Sequence, residues 1–519
     1  MKLGTGELTL ADLRSFDRAE PHVSLDPGQR AAMAKTRRIV EERIAQGRPT
    51  YGINTGFGTL SSHMIGAEDL TELQRRLVLS NAAGTGEPMR RADVRRMMLL
   101  KASGLASGLS GARPELADAL LALLNHDITP VVPCKGSVGA SGDLAPMAHM
   151  AAGLIGVGDV LAGGKVRPAA DALREAGLTP FTLAAKEGLS LVNGTQASTS
   201  LAVHGLFAAE DMLAAALVAG ALSLEAAQGH VMAFDPRLHR ARGQPGQMAV
   251  ASFFRSLVAE SGIRDSKGSI GRLQDPYCLR CQPQVMGACL DQLRHAAAII
   301  TAEINGWTDN PMVDPDTGDI LYGGNFHAEP IGLACDGIAL ALAETGAMSE
   351  RRIALLTDAH HSGLPAFLVA ETGLDSGFMV AQVTAAALAS ENKSLAHPAT
   401  VDSIPTTANH EDFVSMATFA ARRLADMADN VAAILSIELL AACQGMEFRR
   451  PLRSSTILEA VHARVRELAS AYTQDRFFAP DIAAVKAFVL SGELRSLLPV
   501  ELALSSHPDQ HKETPHGQF

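Results

Sequence analysis

Five long segments that are rich in alanine or leucine and free of internal proline constrain the fold of this chain more than any other feature. Alanine and leucine are strong helix formers, and segments that stay apolar around most of the helix suit the inside of a bundle or a subunit interface. Alternating polar and apolar residues, typical of strands, are scarce and short. The sequence therefore predicts a mostly α-helical protein. The five segments are residues 201–228, 285–305, 331–356, 379–395 and 412–444.

The first third of the chain has a different texture, because glycine-rich clusters interrupt it. Such clusters predict short helices joined by structured loops. They lie at residues 52–58, 84–86, 136–142 and 153–164. A length of 519 residues allows two to four domains or one unusually large helical body. We predict an N-terminal domain over residues 1–190, a helical bundle with a C-terminal helical part over 191–505, and a loose polar tail over 506–519.

Charge and apolar patterning argue against two classes of partner. A net charge of −11 argues against nucleic acid, whose binding requires a clustered basic surface. The longest apolar stretches, such as residues 212–224, run to roughly 13 residues, short of the approximately 20 that a membrane span needs. We expect no signal peptide, since the first seven residues lack an apolar core. Six cysteines in so long a chain indicate a reducing cytoplasm rather than a disulfide framework.

Glycine, asparagine and small hydroxyl residues recur in compact clusters between the helical segments. These clusters carry the candidate functional residues. They lie at residues 51–58, 136–146, 191–195, 274–281, 308–311 and 323–327.

The cluster around Ser141 has four interpretations from its residues alone. The first is a turn that leads into a helix, with Asp143 near the N-cap. The second is a serine nucleophile, although the surrounding residues do not form the G-x-S-x-G elbow of hydrolases. The third is a phosphate loop, although neither G-K-[ST] nor G-x-G-x-x-G spacing is present. The fourth is chemical: the amide nitrogen of Gly142 can approach the carbonyl carbon of Ala140, because neither residue carries a bulky side chain.

Ring closure between these two groups loses one water, and dehydration of Ser141 loses a second. The product would be an electrophilic methylidene-imidazolone, in which Ser141 is a 2,3-didehydroalanine and Ala140 and Gly142 are joined by an imidazolinone cross-link. The chain would thus build its own cofactor. A helix that begins just after the ring would stabilise negative charge on it, so the group would act as an electron sink.

At these residues the chain resembles the aromatic amino acid ammonia-lyases, a family of histidine, phenylalanine and tyrosine ammonia-lyases and related aminomutases. The resemblance covers about residues 8–504 and is closest to the histidine branch. It implies a fumarase/aspartase-like helical architecture, a methylidene-imidazolone formed from residues 140–142, no metal or nucleotide, and a homotetramer with shared active sites. The matching motifs are GSVGASGDL at 136–144, CLRCQPQVMGAC at 278–289, GNFHAEP at 324–330 and ASENK at 389–393.

The resemblance also implies roles for side chains that the sequence alone leaves open. Tyr51 matches the base that takes the β-proton of the substrate, whereas alone it would be a packed tyrosine in a glycine-rich turn. Phenols ordinarily titrate near pH 10, so this role requires positive potential nearby. Arg280 matches the partner of the substrate carboxylate, and with Tyr277 it would come from a different subunit than Ser141 or Tyr51. Asn193 matches an asparagine that binds the imidazolone or the amine, although Asn-Gly is also a frequent turn pair.

Five further residues are assigned by the same resemblance. Gln274 and Tyr277 match residues that border the prosthetic group. Asn325 and Phe326 resemble residues of the substrate pocket. Glu391 matches a buried carboxylate near the amine or ring of the substrate, although its sequence neighbours alone indicate a solvated helical patch.

One pair of positions departs from the family. Histidine ammonia-lyases usually have Leu-Ser-His-Ala-Ala-Gly where this chain has Asn81 after Ser80. In the family this pair faces the substrate ring, with His-Leu typical of tyrosine lyases and Phe-Leu typical of phenylalanine lyases. An asparagine amide can hydrogen-bond an imidazole or a phenol but cannot titrate as histidine does. The pair therefore leaves the ring preference open.

The resemblance implies a carbon–nitrogen lyase that eliminates ammonia from an aromatic L-amino acid, its small-molecule partner. L-Histidine, giving trans-urocanate, is the first candidate. L-Tyrosine or L-phenylalanine, giving coumarate or cinnamate, is the alternative because of Asn81. An aminomutase, a paralogue with altered catalysis and an unmodified serine hydrolase are more remote. We expect no metal site, since no second pair or suitably spaced histidine follows Cys278 and Cys281.

Overall fold

The structure is a computed structural model that describes residues 1–56, 62–265, 273–499 and 502–504. Two features considered above lie outside these residues, namely the end of the first glycine-rich cluster at 57–58 and the polar tail at 506–519. Most of the described residues are helical, as the sequence predicts. The helices are α1 (Leu10–Ala19), α2 (Pro27–Ala45), α3 (Leu70–Asn81), α4 (Arg91–Ala106), α5 (Pro114–Asn125), α6 (Leu144–Leu154), α7 (Ala169–Glu175), α8 (Glu187–Val192), α9 (Gln196–Ala226), α10 (Pro236–Arg242), α11 (Pro245–Leu257), α12 (Gly262–Asp265), α13 (Tyr277–Arg280), α14 (Gln282–Asn305), α15 (Glu329–Thr357), α16 (Ala359–Ser362), α17 (Met379–Leu395), α18 (Ala417–Glu447), α19 (Thr456–Leu468) and α20 (Ala479–Leu490).

Strands are short, and within the described residues they form only small sheets. Strands β1 and β2 pair in parallel, β3 pairs antiparallel with β5, β4, β6 and β7 form a three-stranded antiparallel sheet, and β8 pairs antiparallel with β9. The strands are β1 (Lys2–Leu3), β2 (Ser24–Leu25), β3 (Thr85–Pro88), β4 (Thr129–Pro130), β5 (Pro133–Lys135), β6 (Asp159–Ala162), β7 (Lys165–Pro168), β8 (Met312–Val313) and β9 (Ile320–Leu321).

A bundle of long helices forms the centre of the molecule. Helices α9 and α18 each have 31 residues and pack along one another, with α15 against both and α14 and α17 at the sides. At 1.5 Å per residue each is about 46 Å long. Alanine lines much of α9, from Ala214 to Ala216 and again at Ala219 and Ala221, and small side chains allow neighbouring helices to approach closely.

The five helical segments predicted from the sequence are all present as helices. Three have bounds close to those predicted, and a fourth, α17, has the predicted bounds. The fifth differs at its start, because α18 begins at Ala417 and not at residue 412. Met416 lies in the left-handed region, with φ of 53°, which interrupts the helical path. Residues 412–416 are instead a connecting segment, and this segment reaches the candidate site.

Two described helices, α9 and α15, are long and apolar enough to cross a membrane by length and composition alone. In α9, 89% of the most apolar window is buried inside the protein, and in α15 the share is 67%. The apolar stretch at residues 212–224 was judged too short because charged residues, Asp211 and Glu225, bound it. Helix α9 continues through both residues, and Glu225 is buried within it.

The buried apolar core is continuous along the chain, from Leu3 to Leu502. Helices shorter than 20 residues dominate before residue 190, and all four helices longer than 20 residues in the described part follow it. The change from short to long helices near residue 190 thus agrees with the sequence pattern. The division into domains at residue 190 stays a prediction, since apolar residues on both sides share one core.

A fully buried ion pair joins two helices of the bundle. The Arg352 guanidinium on α15 donates to the Glu438 carboxylate on α18, with an Nη2 to Oε2 distance of 2.8 Å. Ser223 and Ser349 donate to the same carboxylate at 2.7 and 2.6 Å. Both charged side chains are 0% exposed.

Replacing Arg352 by methionine should therefore lower the free energy of unfolding by about 3–5 kcal/mol, because it leaves the Glu438 charge buried without its partner. Denaturant unfolding followed by circular dichroism measures the change. The exposed pair of Arg464 and Glu467 is the matched control, since Arg464→Met should change stability by less than about 1 kcal/mol. Equal losses in the two variants would contradict this prediction.

Candidate active site

A cavity of about 1010 Å³ opens between the N-terminal helices and the start of the bundle. Six of the residues proposed from the sequence line it: Tyr51, Asn81, Ala140, Ser141, Asn193 and Phe326. The remaining lining residues are Leu77, Leu144, Leu189, Val192, Asn310, Tyr322, Gly323, His327, Thr407, Ala408, His410, Glu411, Asp412 and Phe413.

The loop that carries Ala140, Ser141 and Gly142 is fixed tightly against its surroundings. Gly142 has φ of 78°, and a Cβ added there would lie 2.3 Å from the carbonyl oxygen and 2.4 Å from the amide nitrogen of Gly194. Gly139 has φ of 66°, and its added Cβ would lie 2.3 Å from Oγ of Ser415. Both positions therefore require glycine. The Ser141 hydroxyl faces the cavity and donates to the Glu411 carboxylate.

Asp143 anchors this loop to the bundle. It directly precedes α6, as the turn interpretation expected, but its side chain makes no capping bond to that helix. Its buried carboxylate instead accepts hydrogen bonds from the hydroxyls of Ser137, Ser198 and Thr418, at 2.9, 2.6 and 2.8 Å, and from the amide of Ser198 at 2.6 Å. These bonds hold the loop to the first turns of α9 and α18.

Four helices begin beside the loop. Helix α6 starts at the residue after Asp143, and α9 starts two residues after Gly194, whose carbonyl accepts from the Asp143 amide at 2.8 Å. The amide of Ala328, just before α15, donates to the carbonyl of Gly139. The amide of Met416, just before α18, donates to the carbonyl of Val138. Helix N-termini carry partial positive charge. The starts of these four helices therefore favour negative charge at the loop of residues 140–142.

Tyr51 lies at one wall of the cavity. Its ring meets the ring of Tyr322 edge to face, with 6.1 Å between centroids and 70° between planes. The next residue, Gly52, has φ of 75°, and an added Cβ would lie 2.6 Å from Leu189 and 2.9 Å from Pro311. The tight packing of this glycine fixes the turn that directs Tyr51 toward the cavity.

Asn193 lies at the floor of the cavity and ends α8. Its side-chain nitrogen donates to the backbone carbonyl of Asn310 at 2.9 Å, and the residue is 4% exposed. Gly194 follows with φ of 112° and pairs with Gly142 through a parallel bridge. The chain bends at the Asn-Gly pair, and the bridge of Gly194 joins the cavity floor to the loop of Ser141.

Each of the two remaining pairs of predicted residues has one member in the cavity. Asn81 lines it and donates from Nδ2 to the carbonyl of Leu77 at 2.7 Å, whereas the Ser80 side chain is exposed and outside it. Phe326 lines the cavity, whereas Asn325 is exposed and outside it.

The structure does not bring Gln274, Tyr277 and Arg280 to this cavity. Tyr277 is 68% exposed, and Arg280 lies over its ring with 4.5 Å between the guanidinium carbon and the ring centroid. The Arg280 Nε donates to the carbonyl of Asp275 at 2.8 Å. All three residues lie on the turn around α13. A contribution from another subunit, which the family resemblance implies, remains a prediction.

Glu391 is a correction. It was expected to be a buried carboxylate near the substrate, but it lies exposed on α17 and accepts a hydrogen bond from Asn430 at 3.1 Å. Its neighbour Asn392 is the residue that faces the bundle. The carboxylate that reaches the cavity is Glu411, which Ser141 contacts and to which the Thr406 hydroxyl donates at 2.8 Å.

Sequence reasoning missed Glu411 because it assigned the carboxylate of the site to Glu391, in the motif at residues 389–393. It also missed two histidines of the cavity wall. His327 hydrogen-bonds the carbonyl of Phe413 at 3.1 Å through Nε2, and its ring stacks on that phenylalanine. His410 adjoins Glu411 in the same segment. The signal that was available is the polar run of residues 409–412, a few residues before the long helix α18 begins at Ala417.

Known proteins match the chain over almost all of its length. Residues 8–467 match the aromatic amino acid lyase family. The chain is 56% identical over 503 residues to a histidine ammonia-lyase from Rhodospirillum rubrum, which covers 96% of this chain and 98% of that protein. Histidine ammonia-lyase from Trypanosoma cruzi has a similar structure, with a TM-score of 0.89, 38% identity and 96% of each chain covered. Tyrosine aminomutase from Streptomyces globisporus gives a TM-score of 0.90 at 34% identity, over 96% of this chain and 98% of that one.

The family match includes the loop of Ser141, the turn of Tyr51 and the long helices α9, α14, α15, α17 and α18. It ends at residue 467, before α20. The mostly helical fold is shared with the solved relatives. The chain belongs to the aromatic amino acid lyase family.

Proposed function

We propose that this protein is an ammonia-lyase that converts L-histidine to trans-urocanate and ammonia. The observation that carries the proposal is that the Ala140-Ser141-Gly142 loop meets Tyr51 and Asn193 at one cavity, beside the starts of four helices. Near full-length identity to proteins named histidine ammonia-lyase supports histidine as the substrate.

The packing around residues 140–142 is compatible with a methylidene-imidazolone formed from them. Ring closure requires the Gly142 nitrogen to approach the Ala140 carbonyl, and the backbone of Gly194 leaves no room for a side chain at Gly142. Ala140 is small and 3% exposed. The Ser141 hydroxyl, which dehydration would remove, is held by the Glu411 carboxylate. When formed, the group would supply an electrophile that makes the amino group of the substrate a better leaving group.

The side chains of the cavity would then hold the substrate and move its proton. Tyr51 is the candidate base for the β-proton, since its hydroxyl is carried on a rigid turn at the cavity wall. Asn193 would bind the amine or the prosthetic ring from the floor. Glu411 offers an acceptor for the ammonium or the imidazole N–H of the substrate. The four helix starts favour the anionic state of the loop.

The substrate carboxylate calls for a cationic partner, and neither arginine nor lysine lines this cavity among the described residues of one chain. Arg280 would supply it from a neighbouring subunit of a homotetramer, together with Tyr277 and Gln274. Exposed apolar side chains at Leu333 and Leu340 on α15, 57% and 51% exposed, support a further layer of helices there. We propose a cytoplasmic enzyme, consistent with six free cysteines.

Tyrosine or phenylalanine is the second candidate substrate because of Asn81. The cavity still contains side chains that can hydrogen-bond the imidazole of substrate histidine, since His410, His327 and Glu411 line it. A site built to hydrogen-bond a substrate group rejects an analogue that lacks it by up to about 10⁴-fold. Parallel assays of ammonia and unsaturated acid from the three amino acids test the proposal. Release of urocanate with kcat/KM at least tenfold above the other two supports it, and release of only coumarate or cinnamate contradicts it. A β-amino acid product would instead identify an aminomutase.

Asn81→His should raise kcat/KM for histidine by about tenfold and leave the other two substrates within about threefold, because an imidazole at this wall adds a titratable partner for the substrate ring. Steady-state kinetics with each amino acid measures the effect. Ser80→Ala is the matched control, since Ser80 lies outside the cavity, and it should change no constant by more than about twofold. Equal effects of Asn81→His on all three substrates would remove Asn81 from substrate selection.

A further inference from the structure

Two lysines are buried directly behind the cavity, and the proposed chemistry uses neither. Lys101 on α4 is 2% exposed and Lys186, just before α8, is 0% exposed. Buried lysines are rare unless they are paired, because removing an ammonium from water is costly. Their hydrogen bonds therefore indicate what the fold gains from them.

The Lys101 ammonium binds the end of α8. It donates to the carbonyl of Ser190 at 2.8 Å and also to the carbonyl of Asn193. These carbonyls lie at the C-terminal end of the helix, where backbone oxygens lack helical partners and the helix dipole favours a cation. Lys101 thus fixes the backbone of the residue whose side chain forms the cavity floor.

Lys186 completes the network from the other side. Its ammonium donates to the Ser190 hydroxyl at 2.9 Å and to Oδ2 of Asp309 at 2.8 Å. The other oxygen of Asp309 accepts from the Asn310 amide at 2.7 Å. The carbonyl of Asn310 in turn accepts from the side chain of Asn193 at 2.9 Å. The backbone and the side chain of Asn193 are therefore held by one buried network.

The charges of this network nearly balance. Asp309 and Asp143 are the anions that face Lys101, and Lys186 is the second cation. Burial lowers the pKa of Lys101 to about 8, against the opposing effect of Asp309. Burial alone would raise the pKa of Asp309, but Lys186 and Lys101 outweigh it and hold that pKa below its ordinary value. Lys101 therefore stays mainly protonated at neutral pH.

The network also reaches the loop that carries Ser141. The peptide after Asn193 belongs to Gly194, whose carbonyl accepts from the Asp143 amide at 2.8 Å and whose backbone pairs with Gly142. A shift of Asn193 would therefore move both the cavity floor and the support of residues 140–142. Displacement of a catalytic group by about 1 Å can cost on the order of 10²-fold in rate.

We propose that Lys101 is a positioning residue, whose ammonium holds Asn193 and Gly194 against the loop of residues 140–142. It touches neither the cavity nor the substrate, and it acts through Asn193. This inference rests on the proposed lyase function.

A double-mutant cycle in the full-length chain tests the proposal. Lys101→Met should lower kcat for histidine by about 10²-fold and change KM by less than about threefold. In the background of Asn193→Ala, the same Lys101→Met substitution should lower kcat by less than about threefold, because the residue through which it acts is already missing. Equal losses in both backgrounds mean a purely structural role and overturn the proposal, as does a Lys101→Met variant with the kcat of the wild type.

Two controls keep the test decisive. Lys35→Met removes an exposed lysine that pairs with Asp316 at the surface, and kcat should stay within about twofold of the wild type. Where circular dichroism shows that Lys101→Met does not fold, Lys101→Gln replaces it in the same cycle, with the same two outcomes. A wild type that releases no ammonia from any of the three amino acids contradicts the proposed function. An active wild type and an equally active Lys101→Met contradict this inference alone.

Discussion

Replacing Ser141 by alanine should reduce ammonia release from L-histidine by at least about 10³-fold, the largest effect that we expect from a single substitution. Alanine has no hydroxyl to lose, so residues 140–142 cannot form the methylidene group. Removing the group on which a catalytic unit depends typically costs several orders of magnitude. Ammonia release and urocanate absorbance in steady-state assays measure the loss.

The structure supplies a matched control and an independent variant. Ser107 is exposed at the end of α4, and its hydroxyl bonds only nearby backbone, at Gly104 and Leu109, so Ser107→Ala should keep activity within about twofold. Gly142→Ala should resemble Ser141→Ala, because its added Cβ would lie 2.3 Å from the Gly194 carbonyl oxygen. A Ser141→Ala enzyme with more than a tenth of wild-type kcat would contradict the role of Ser141.

Replacing Tyr51 by phenylalanine should lower kcat by about 10²–10⁴-fold, the range that loss of a general base commonly produces. The ring is kept, so its edge-to-face contact with Tyr322 persists and the turn at Gly52 should hold. Single-turnover assays with histidine deuterated at the β-carbon would report the proton-transfer step directly. The isotope effect on kcat should rise in the variant, as proton removal becomes slower.

Tyr472 provides the matched control for this substitution. It is buried outside the cavity, where its ring packs against Phe378 and Phe478 and its hydroxyl contacts Asp475 at 3.3 Å. Tyr472→Phe should keep kcat within about threefold. Equal kcat losses in the two variants, or a Tyr51→Phe enzyme within threefold of the wild type, would mean that Tyr51 is not the base.

The helical framework could be predicted because its signal is local. Alanine and leucine content and the absence of proline act within each segment, and α9, α14, α15, α17 and α18 appear where those patterns predict them. The same reasoning failed at residues 412–416, which were joined to the helical segment because they precede it without a proline or glycine. Contacts from distant residues decide otherwise, as Met416 donates its amide to the carbonyl of Val138 and adopts a left-handed conformation.

Without the family resemblance, the candidate site was predictable only where backbone conformation demands a particular residue. The glycines at 52, 139 and 142 leave a visible pattern because each meets neighbouring atoms that exclude a side chain. Carboxylates leave no such pattern. Glu391 and Glu411 look alike in sequence, and only the packing of α17 against the bundle separates the exposed residue from the one beside Ser141.

The buried lysines behind the site could not be predicted from the sequence either. Lys101 lies in a helix with other basic residues, and its sequence neighbours do not reveal that it caps α8, some 90 residues further along the chain. Its partner Lys186 bonds Asp309, which is more than 100 residues away. Such long-range pairs depend on how helices pack.

The intact mass of the purified wild-type chain tests the central claim most directly, because a self-made prosthetic group changes the mass before any substrate is added. We predict a mass lower than that of the 519-residue sequence by two waters, and peptide mapping should assign the deficit to residues 140–142. The full, unmodified mass in an enzyme preparation that is folded would contradict the account.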